Sequence, residues 1–473
     1  MEKRSLRFRD IPIPTMIGLV EGNGSGAKLL QALLDGHEQL YMIPAYPLLY
    51  FYPHWDSWEK QFKRIWRWET IIDLFCEKHA SVLDSRKIPG HNGLTTLGKS
   101  QNEYISIDEK LFRSYLFQLL SEEKIHRKTF LLAVHYAYSL AKGEELSSKR
   151  VLLYHIHSNE YLVKYLLVDF PSLKAIAMIR DPRPNIERRV KSSLWNVDEA
   201  KLNPSDAMIY RGRAYGLLCK HIVYNALKQM EGISYWNIKL IRHEDLVQNL
   251  ETIMKKLSDF IEIDFTRQLL EITFDGKLWW GDKVYGMTPT NQVNPDIISK
   301  NWMHSINDID CYVIEGILFD FFLKYKYTPY KYINDDMMNR LKLMMLLFIP
   351  SSIERKVFKE YWRLSNHINL IKKSWRESYD LSCFKDYSSS ATYRYKYAYM
   401  DLKLWQSRWY KNRLRGPFGR KAPRIIYTAV QYFKYLFAAT TNWFLISKRC
   451  AHSAQALIRR LAGKNYLPEN IMD

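Results

Sequence analysis

The sequence is poor in cysteine: it has five cysteines in 473 residues, and they stand far apart. It contains no C-x-x-C pair and no His/Cys cluster that suggests zinc, so neither disulfide bonds nor a metal centre are indicated. The N-terminal segment MEKRSLRFRDIPIP lacks the apolar core of a secretory signal or an N-terminal anchor. These absences predict a cytoplasmic protein with reduced thiols and without a bound metal.

Positive charge is concentrated in the C-terminal part of the chain. The net charge is +20, and residues 337–473 hold 26 Lys and Arg against 8 Asp and Glu. Residues 1–336 hold 44 basic against 42 acidic residues. This change in composition predicts a nearly neutral globular domain over 1–336 and a basic, aromatic, helical extension over 337–473.

The extension has no long, purely apolar run. Residues 425–447 have the length of a membrane-spanning helix, about 20 residues, but include Gln431, Lys434 and Asn442. We expect residues 411–447 to lie on an anionic membrane surface, which would make the protein peripheral on the inner face of the membrane. Packing as a helical subdomain is the alternative, and nucleic-acid binding is disfavoured because no recognition motif is present.

Short apolar segments alternate with helical patterns in the first domain. Strands are predicted at residues 16–20, 149–156, 174–179 and 236–241, and helices at 104–141, 161–170, 206–230 and 250–261. This alternation predicts an α/β fold of three layers, with a parallel sheet covered by helices on both faces. Ligands of such sheets bind beyond the carboxyl ends of the strands, where segments 21–28, 155–160 and 180–188 are expected.

An aromatic segment over residues 46–75 interrupts this alternation. We expect its rings to pack in the core, since large aromatic side chains bury much apolar area. The alternative is a wall that stacks on a sugar or on another apolar ring of a ligand.

The stretch from residue 16 to residue 34 combines a strand, a glycine-rich turn and a helix. Three glycines in five residues allow the backbone N–H groups of the turn to point at an anion. The helix N-terminus adds partial positive charge there, and Lys28 adds a full charge. A phosphate-binding loop is therefore predicted, formed by Gly22, Asn23, Gly24, Ser25, Gly26, Ala27 and Lys28.

This loop lacks one residue that kinases and ATPases need. Their pattern is G-x-x-x-x-G-K-[ST], in which the final hydroxyl holds Mg²⁺. Here Ala27 precedes Lys28, and Leu29 follows it. The missing hydroxyl disfavours a P-loop kinase or ATPase.

The segment GNGSGAKLLQALLDGHEQLYMIPAY resembles the 5′-phosphosulfate loop of sulfotransferases that use 3′-phosphoadenosine 5′-phosphosulfate (PAPS). Their loop reads P-[RK]-S-G-T-[TSK]-L-L and is followed by a helix, an L-x-x-H step and a proline. The matching residues are Ser25, Gly26, Lys28, Leu29, Leu30, Leu34, His37 and Pro44. Gly24 replaces a basic residue and Ala27 a threonine of the family, and Lys28 would supply the missing charge.

The segment FPSLKAIAMIRDPRPNIERR resembles the second PAPS-binding segment of the same family. The resemblance implies that Arg180 binds the 3′-phosphate of PAPS, which an arginine can grip with two hydrogen bonds. Arg188 stands where the family has a serine and would contact the same phosphate. Pairing of Arg180 with Asp181 is the alternative that the residues leave open.

Three residues are candidates for the general base. The segment YHIHSNE resembles the family's K-[ST]-H segment, which implies that His157 takes the proton of the acceptor hydroxyl. A neutral imidazole suits this role near pH 7. Glu160 and Glu21 are the further candidates, and a purely structural histidine at position 157 is the alternative.

Two later segments also resemble the family. IKLIRHEDLVQNLETIMKKLSDFIEIDF is similar to its V-x-R-Y-E-D-L segment, and the acidic pair Glu244 and Asp245 is expected to support the fold. DGKLWWGDKVYG is similar to a late loop that closes over PAPS in several carbohydrate sulfotransferases. The similarity implies that Trp280 and Gly281 contact PAPS.

The resemblance extends from residue 14 to about residue 330 and implies the P-loop-NTPase-like fold of the sulfotransferases. It implies an enzyme that moves a sulfuryl group from PAPS to a hydroxyl without a metal. We expect a glycan or lipid-linked glycan as acceptor, in bacterial polysaccharide biosynthesis. Because Gly24, Ala27 and Arg188 depart from the family pattern, a non-catalytic module that binds glycan or nucleotide is the alternative.

Overall fold

The computed structural model describes residues 6–21, 24–88, 93–157, 160–184, 238–281, 293, 302–303, 306, 308–317, 319–339, 342–343 and 469–470. The chain forms two compact units. The first comprises Met1–Arg180, Tyr235–Ser299 and Glu469–Asp473, and the second comprises Asp181–Ser234 and Lys300–Pro468. The predicted helix at 206–230 and nearly all of the predicted extension lie outside the described residues, so the predicted division at residue 336 stays a prediction.

The first unit contains a parallel sheet of six strands and a short antiparallel hairpin. The sheet strands are β1 (Thr15–Glu21), β2 (Leu40–Met42), β3 (Val151–His157), β4 (Lys174–Ile179), β5 (Ile238–Arg242) and β8 (Glu469–Asn470), and the hairpin consists of β6 (Thr273–Phe274) and β7 (Lys277–Leu278). The order across the sheet is β2-β3-β1-β4-β5-β8. Strands β2 and β3 lie on one side of β1, and the later strands β4 and β5 lie on its other side. This reversal creates a crevice at the carboxyl end of β1.

Helices cover both faces of this sheet. They are α1 (Ala27–Leu34), α2 (Phe51–Gln61), α3 (Trp68–Lys78), α4 (Glu109–Leu120), α5 (Arg127–Ala141), α6 (Glu160–Asp169), α7 (His243–Gln248) and α8 (Leu250–Ile261), while α9 (Asp308–Ile317) and α10 (Phe319–Lys324) belong to the second unit. Leu40 of β2 shares one core with Leu33 of α1 and Leu257 of α8. Tyr41 points to the opposite face, where its ring lies 5.0 Å from that of Tyr136 in α5. The predicted three-layer fold is therefore confirmed.

Helix α1 positions the glycine-rich turn. Leu30, Leu33 and Leu34 are buried, because their spacing places them on one helix face. Asp35 leaves the helical conformation, and Gly36 follows with a left-handed φ of 68°. The predicted helix and its glycine stop are thus confirmed, and the buried face fixes the direction in which the helix N-terminus points.

The aromatic segment packs inside the first unit. The ring of Phe130 in α5 is fully buried, and the rings of Phe51, Trp55 and Phe75 lie 6.1, 5.5 and 5.3 Å from it. Removing such rings from water contributes about 1.5–3 kcal/mol each to the stability of the folded state. Core packing, rather than a ligand-binding wall, is confirmed for these rings.

A buried ion-pair cluster stabilises the second unit. The guanidinium of Arg183 donates to Asp181 at 2.7 Å and to Glu315 at 2.6 Å, and it lies 4.4 Å from the ring of Trp302. The Glu315 carboxylate also accepts the backbone N–H groups of residues 330–332. Burial acts to raise the pKa of Glu315, but these backbone hydrogen bonds outweigh it, so the pKa lies below its ordinary value.

The helices that the structure describes include none that is both long and apolar enough to cross a bilayer. Residues 425–447, for which a membrane-surface helix is predicted, lie outside the described ranges. Their association with a membrane stays a prediction.

Candidate active site

The strand register brings three predicted site residues to one edge of the sheet. Glu21 ends β1 and pairs with Met178 of β4, while His157 ends β3 and pairs with Val20 of β1. Arg180 follows β4 directly. The backbone therefore gathers these positions where the sequence predicted a ligand site, although the side chains of Glu21 and His157 are outside the described part of the chain.

Two glycines shape the loop that leads into α1. Gly24 and Gly26 adopt φ of 85° and 97°, and Gly26 is the residue that caps α1. A Cβ on Gly26 would lie 3.3 Å from Cδ2 of His243 at the start of α7, so both the backbone conformation and the packing favour glycine there. The first N–H groups of a helix have no partner within the helix, and they form an anion site. The loop therefore fits the predicted phosphate-binding role.

Lys28 brings a full positive charge to this helix end. It lies in the first turn of α1 and is half-buried. Its Nζ lies 5.5 Å from the centroid of the Tyr46 ring. The charge adds to that of the helix dipole, and both favour an anion at the start of α1.

Arg180 is a buried cation at the same edge of the sheet. It is only 6% exposed. Burial of a guanidinium costs free energy that hydrogen-bond acceptors or an anion must offset. Its chemistry and its place after β4 suit the predicted contact with a phosphate, and that contact stays a prediction.

Trp280 is tethered to the segment before α4. Its Nε1 donates to the carbonyl oxygen of Gly98 at 2.6 Å, and the N–H of Gly98 donates to Leu278 at 2.9 Å. A Cβ on Gly93 would lie 2.3 Å from the carbonyl oxygen of Gly281, so these backbones touch. The predicted contacts of Trp280 and Gly281 with PAPS stay predictions.

Part of the predicted site lies outside the described residues, namely Gly22, Asn23 and Arg188. The side chain of Glu160, the first residue of α6, is also outside them. Within the described ranges, no group of three or more His, Cys, Asp or Glu side chains lies close enough together to hold a metal ion.

Sequence reasoning did not single out Tyr46, whose ring lies beside Lys28, or His155, which packs against that ring. Tyr46 follows β2, and its ring packs at 5.6 Å against the ring of His155 in β3. The H-x-H spacing at the end of β3 was a signal for His155, since it draws attention to both histidines. Tyr46 belongs to no motif, and its place depends on how the chain returns after β2.

A family model described as the sulfotransferase family matches residues 24–267. The match contains most of the glycine-rich loop, the ends of β3 and β4, and Arg180. No curated protein matches the chain.

Several solved structures are similar to the chain at low identity. The sulfotransferase domain from the curacin biosynthetic pathway is 17% identical, with 60% of this chain and 89% of that one covered and a TM-score of 0.29. A sulfotransferase from Mycobacterium avium is 13% identical, with coverages of 55% and 67% and a TM-score of 0.29. Retinol dehydratase in complex with androsterone and the inactive cofactor PAP is 16% identical, with coverages of 66% and 82% and a TM-score of 0.27.

Proposed function

Since the chain belongs to the sulfotransferase family, we propose that it transfers a sulfuryl group from PAPS to a hydroxyl of a glycan or lipid-linked glycan. The observation that carries the proposal is a glycine-turned loop at the N-terminus of α1, with Lys28 in the first turn and buried Arg180 at the same sheet edge. Both phosphate groups of such a donor would meet positive charge there.

Different residues would bind the different phosphate groups of the donor. The loop N–H groups and Lys28 would hold the 5′-phosphosulfate, and Arg180 would hold the 3′-phosphate with help from Arg188. Trp280 and Gly281 would complete the donor site from the segment after β7. PAPS itself supplies the sulfuryl group.

The chain supplies charge stabilisation and a base. Lys28 and the N–H groups at the start of α1 would stabilise negative charge that grows on the phosphate left behind, because they are in place before the reaction. His157 would accept the proton of the acceptor hydroxyl. Glu21 and Glu160 are the alternative bases.

Calorimetry with the desulfated product, 3′-phosphoadenosine 5′-phosphate (PAP), tests this proposal directly. We expect PAP to bind equally with and without Mg²⁺, and more tightly than ATP, because the loop lacks the hydroxyl that holds Mg²⁺ in kinases. Tighter binding of ATP that requires Mg²⁺ would favour a kinase. Binding of PAP without turnover of PAPS on any glycan would favour a non-catalytic module.

Replacing Arg180 with alanine is expected to weaken PAP binding and to leave 5′-AMP binding nearly unchanged. The reason is that only PAP carries the 3′-phosphate, and one lost charged hydrogen-bond pair costs on the order of 1.5–3 kcal/mol. Calorimetry with both ligands measures the difference. Arg150→Ala, an exposed arginine at the other end of the sheet, serves as the control. Equal weakening of both ligands would show that Arg180 does not read the 3′-phosphate.

Replacing His157 with alanine is expected to remove the acidic limb of the pH profile of kcat/KM. A base must be neutral to accept a proton, so the wild-type rate should fall as pH drops through about 6–7, the range of an imidazole. The variant should be slower by about 10²–10⁴-fold at neutral pH. Glu160→Gln, measured in parallel, tests the alternative base. If the His157→Ala variant keeps the acidic limb of the pH profile, the general base would instead be Glu21 or Glu160.

We also propose that residues 411–447 hold the protein at an anionic membrane surface, where a lipid-linked glycan would be presented. The support is the excess of Lys and Arg in this region, interleaved with aromatic residues.

A further inference from the structure

The ammonium of Lys28 stands near the face of an aromatic ring. Its distance of 5.5 Å from the Tyr46 centroid is within the range over which a cation is attracted by the electron-rich ring. A lysine side chain is flexible and would otherwise sample many positions. The ring of Tyr46 therefore restricts where the charge of Lys28 resides.

The backbone before Tyr46 is held in an unusual conformation. Ala45 has a φ of 61°, in the left-handed region that residues with a Cβ rarely adopt. Its carbonyl oxygen accepts a hydrogen bond from Nε2 of Gln31 at 3.0 Å, and Nδ1 of His155 lies 3.1 Å from the same oxygen. Because a carbonyl oxygen can only accept, Nδ1 of His155 carries the proton. Side chains from α1 and β3 thus hold one carbonyl between them.

The His155 ring has a second contact with the same segment. It packs nearly perpendicular to the Tyr46 ring, at 85° and 5.6 Å. Gln31, Ala45 and His155 are all buried, so water does not compete for these contacts. The position of the Tyr46 ring is therefore fixed both through its backbone and through its side chain.

We infer that Tyr46 is a positioning residue that orients Lys28 toward the phosphosulfate of the donor, and that Gln31 and His155 act by locking Ala45. The inference rests on the proposed sulfuryl transfer. An ammonium that is already in place needs no reorganisation when charge develops on the leaving phosphate. Tyr46 is therefore expected to raise kcat more than it strengthens donor binding.

The first test observes Lys28 directly and does not depend on turnover. In protein with ¹³C-labelled lysine, the Cε protons of Lys28 should be shifted upfield by the ring of Tyr46, with the signal assigned by its loss in Lys28→Arg. Tyr46→Leu should move this signal to the ordinary lysine position, whereas Tyr46→Phe, which keeps the ring face, should not. An ordinary Lys28 signal in the wild-type protein would overturn the inference without any variant.

The second test is a double-substitution cycle in steady-state kinetics. Tyr46→Leu should lower kcat by about fivefold to thirtyfold, the range expected for a partly buried cation–π contact, with little change in KM for PAPS. In a Lys28→Ala background the same substitution should change kcat less than about twofold, since it acts only through Lys28. Equal losses in both backgrounds would overturn the inference.

Two controls separate positioning from folding. Tyr50→Leu removes an exposed ring from the same segment and should leave kcat and the Lys28 signal unchanged. Gln31→Met removes one donor to Ala45 and should shift the Lys28 signal partly toward its ordinary position. A wild-type protein that fails to turn over PAPS but shows the upfield Lys28 signal would refute the proposed function and leave the geometry intact.

Discussion

Replacing Lys28 with alanine is expected to lower kcat by about a hundredfold to a thousandfold, with a much smaller rise in KM for PAPS. The magnitude is typical for the loss of one preorganised donor to charge that develops in a transition state. The split between kcat and KM follows because the ground-state donor keeps its contacts with the backbone N–H groups of the loop. Steady-state kinetics over a range of PAPS concentrations measures both quantities.

Lys255→Ala is a suitable control for this substitution. Lys255 is exposed in α8 and pairs with Glu251 one helical turn away, so its loss should leave both kinetic constants unchanged. Wild-type turnover in Lys28→Ala would eliminate the proposed role. A change confined to KM would instead assign Lys28 to donor binding alone.

Replacing Arg183 with alanine is expected to lower the free energy of unfolding by about 3–5 kcal/mol. The substitution leaves the carboxylate of Glu315 buried, together with that of Asp181, and both lose their cationic partner. Urea unfolding, monitored by the fluorescence of tryptophan, measures the loss. Arg9→Ala, which breaks an exposed pair with Glu122, should have little effect because exposed ion pairs contribute little.

The same cluster gives stability a dependence on pH. The pKa of Glu315 in the folded state lies below its ordinary value. Its stabilisation is therefore present above the ordinary carboxyl pKa and is lost as pH falls through the folded-state pKa. Glu315→Gln should flatten that acidic part of the stability profile, and an unchanged profile would show that other carboxylates are responsible.

The helices and strands that could be predicted are those whose hydrophobic pattern lies within one short segment of the sequence. Strand β4 and helix α8 begin and end at the predicted residues, since each is an apolar or amphipathic run with clear flanks. Strand β2 was not predicted, because its three residues, Leu40–Met42, are too few to show a period. Only its pairing with β3 makes it a strand.

The same distinction applies to the candidate site and to the buried ion-pair cluster of the second unit. The loop, Lys28 and Arg180 stand in short motifs, so their place at the strand ends followed from the sequence. Arg183 pairs with Glu315, which lies 132 positions away in the sequence. No short sequence pattern predicts such a pair. The left-handed Ala45 likewise results from contacts with Gln31 and His155, which reach it from other elements. Side-chain environments of this kind depend on tertiary packing, which propensity and periodicity do not encode.

Among the strands that the structure describes, β8 is the last to be synthesised. It pairs with β5 through Glu469 and Asn470, although residues 243–468 lie between the two strands. A ribosome that adds about 5–20 residues per second needs on the order of ten to forty seconds to cover that distance. During this interval β5 lacks its β8 partner, and strand edges without a partner are sites of association between nascent chains. In a shortened protein that ends before residue 469, β5 would lack its β8 partner permanently.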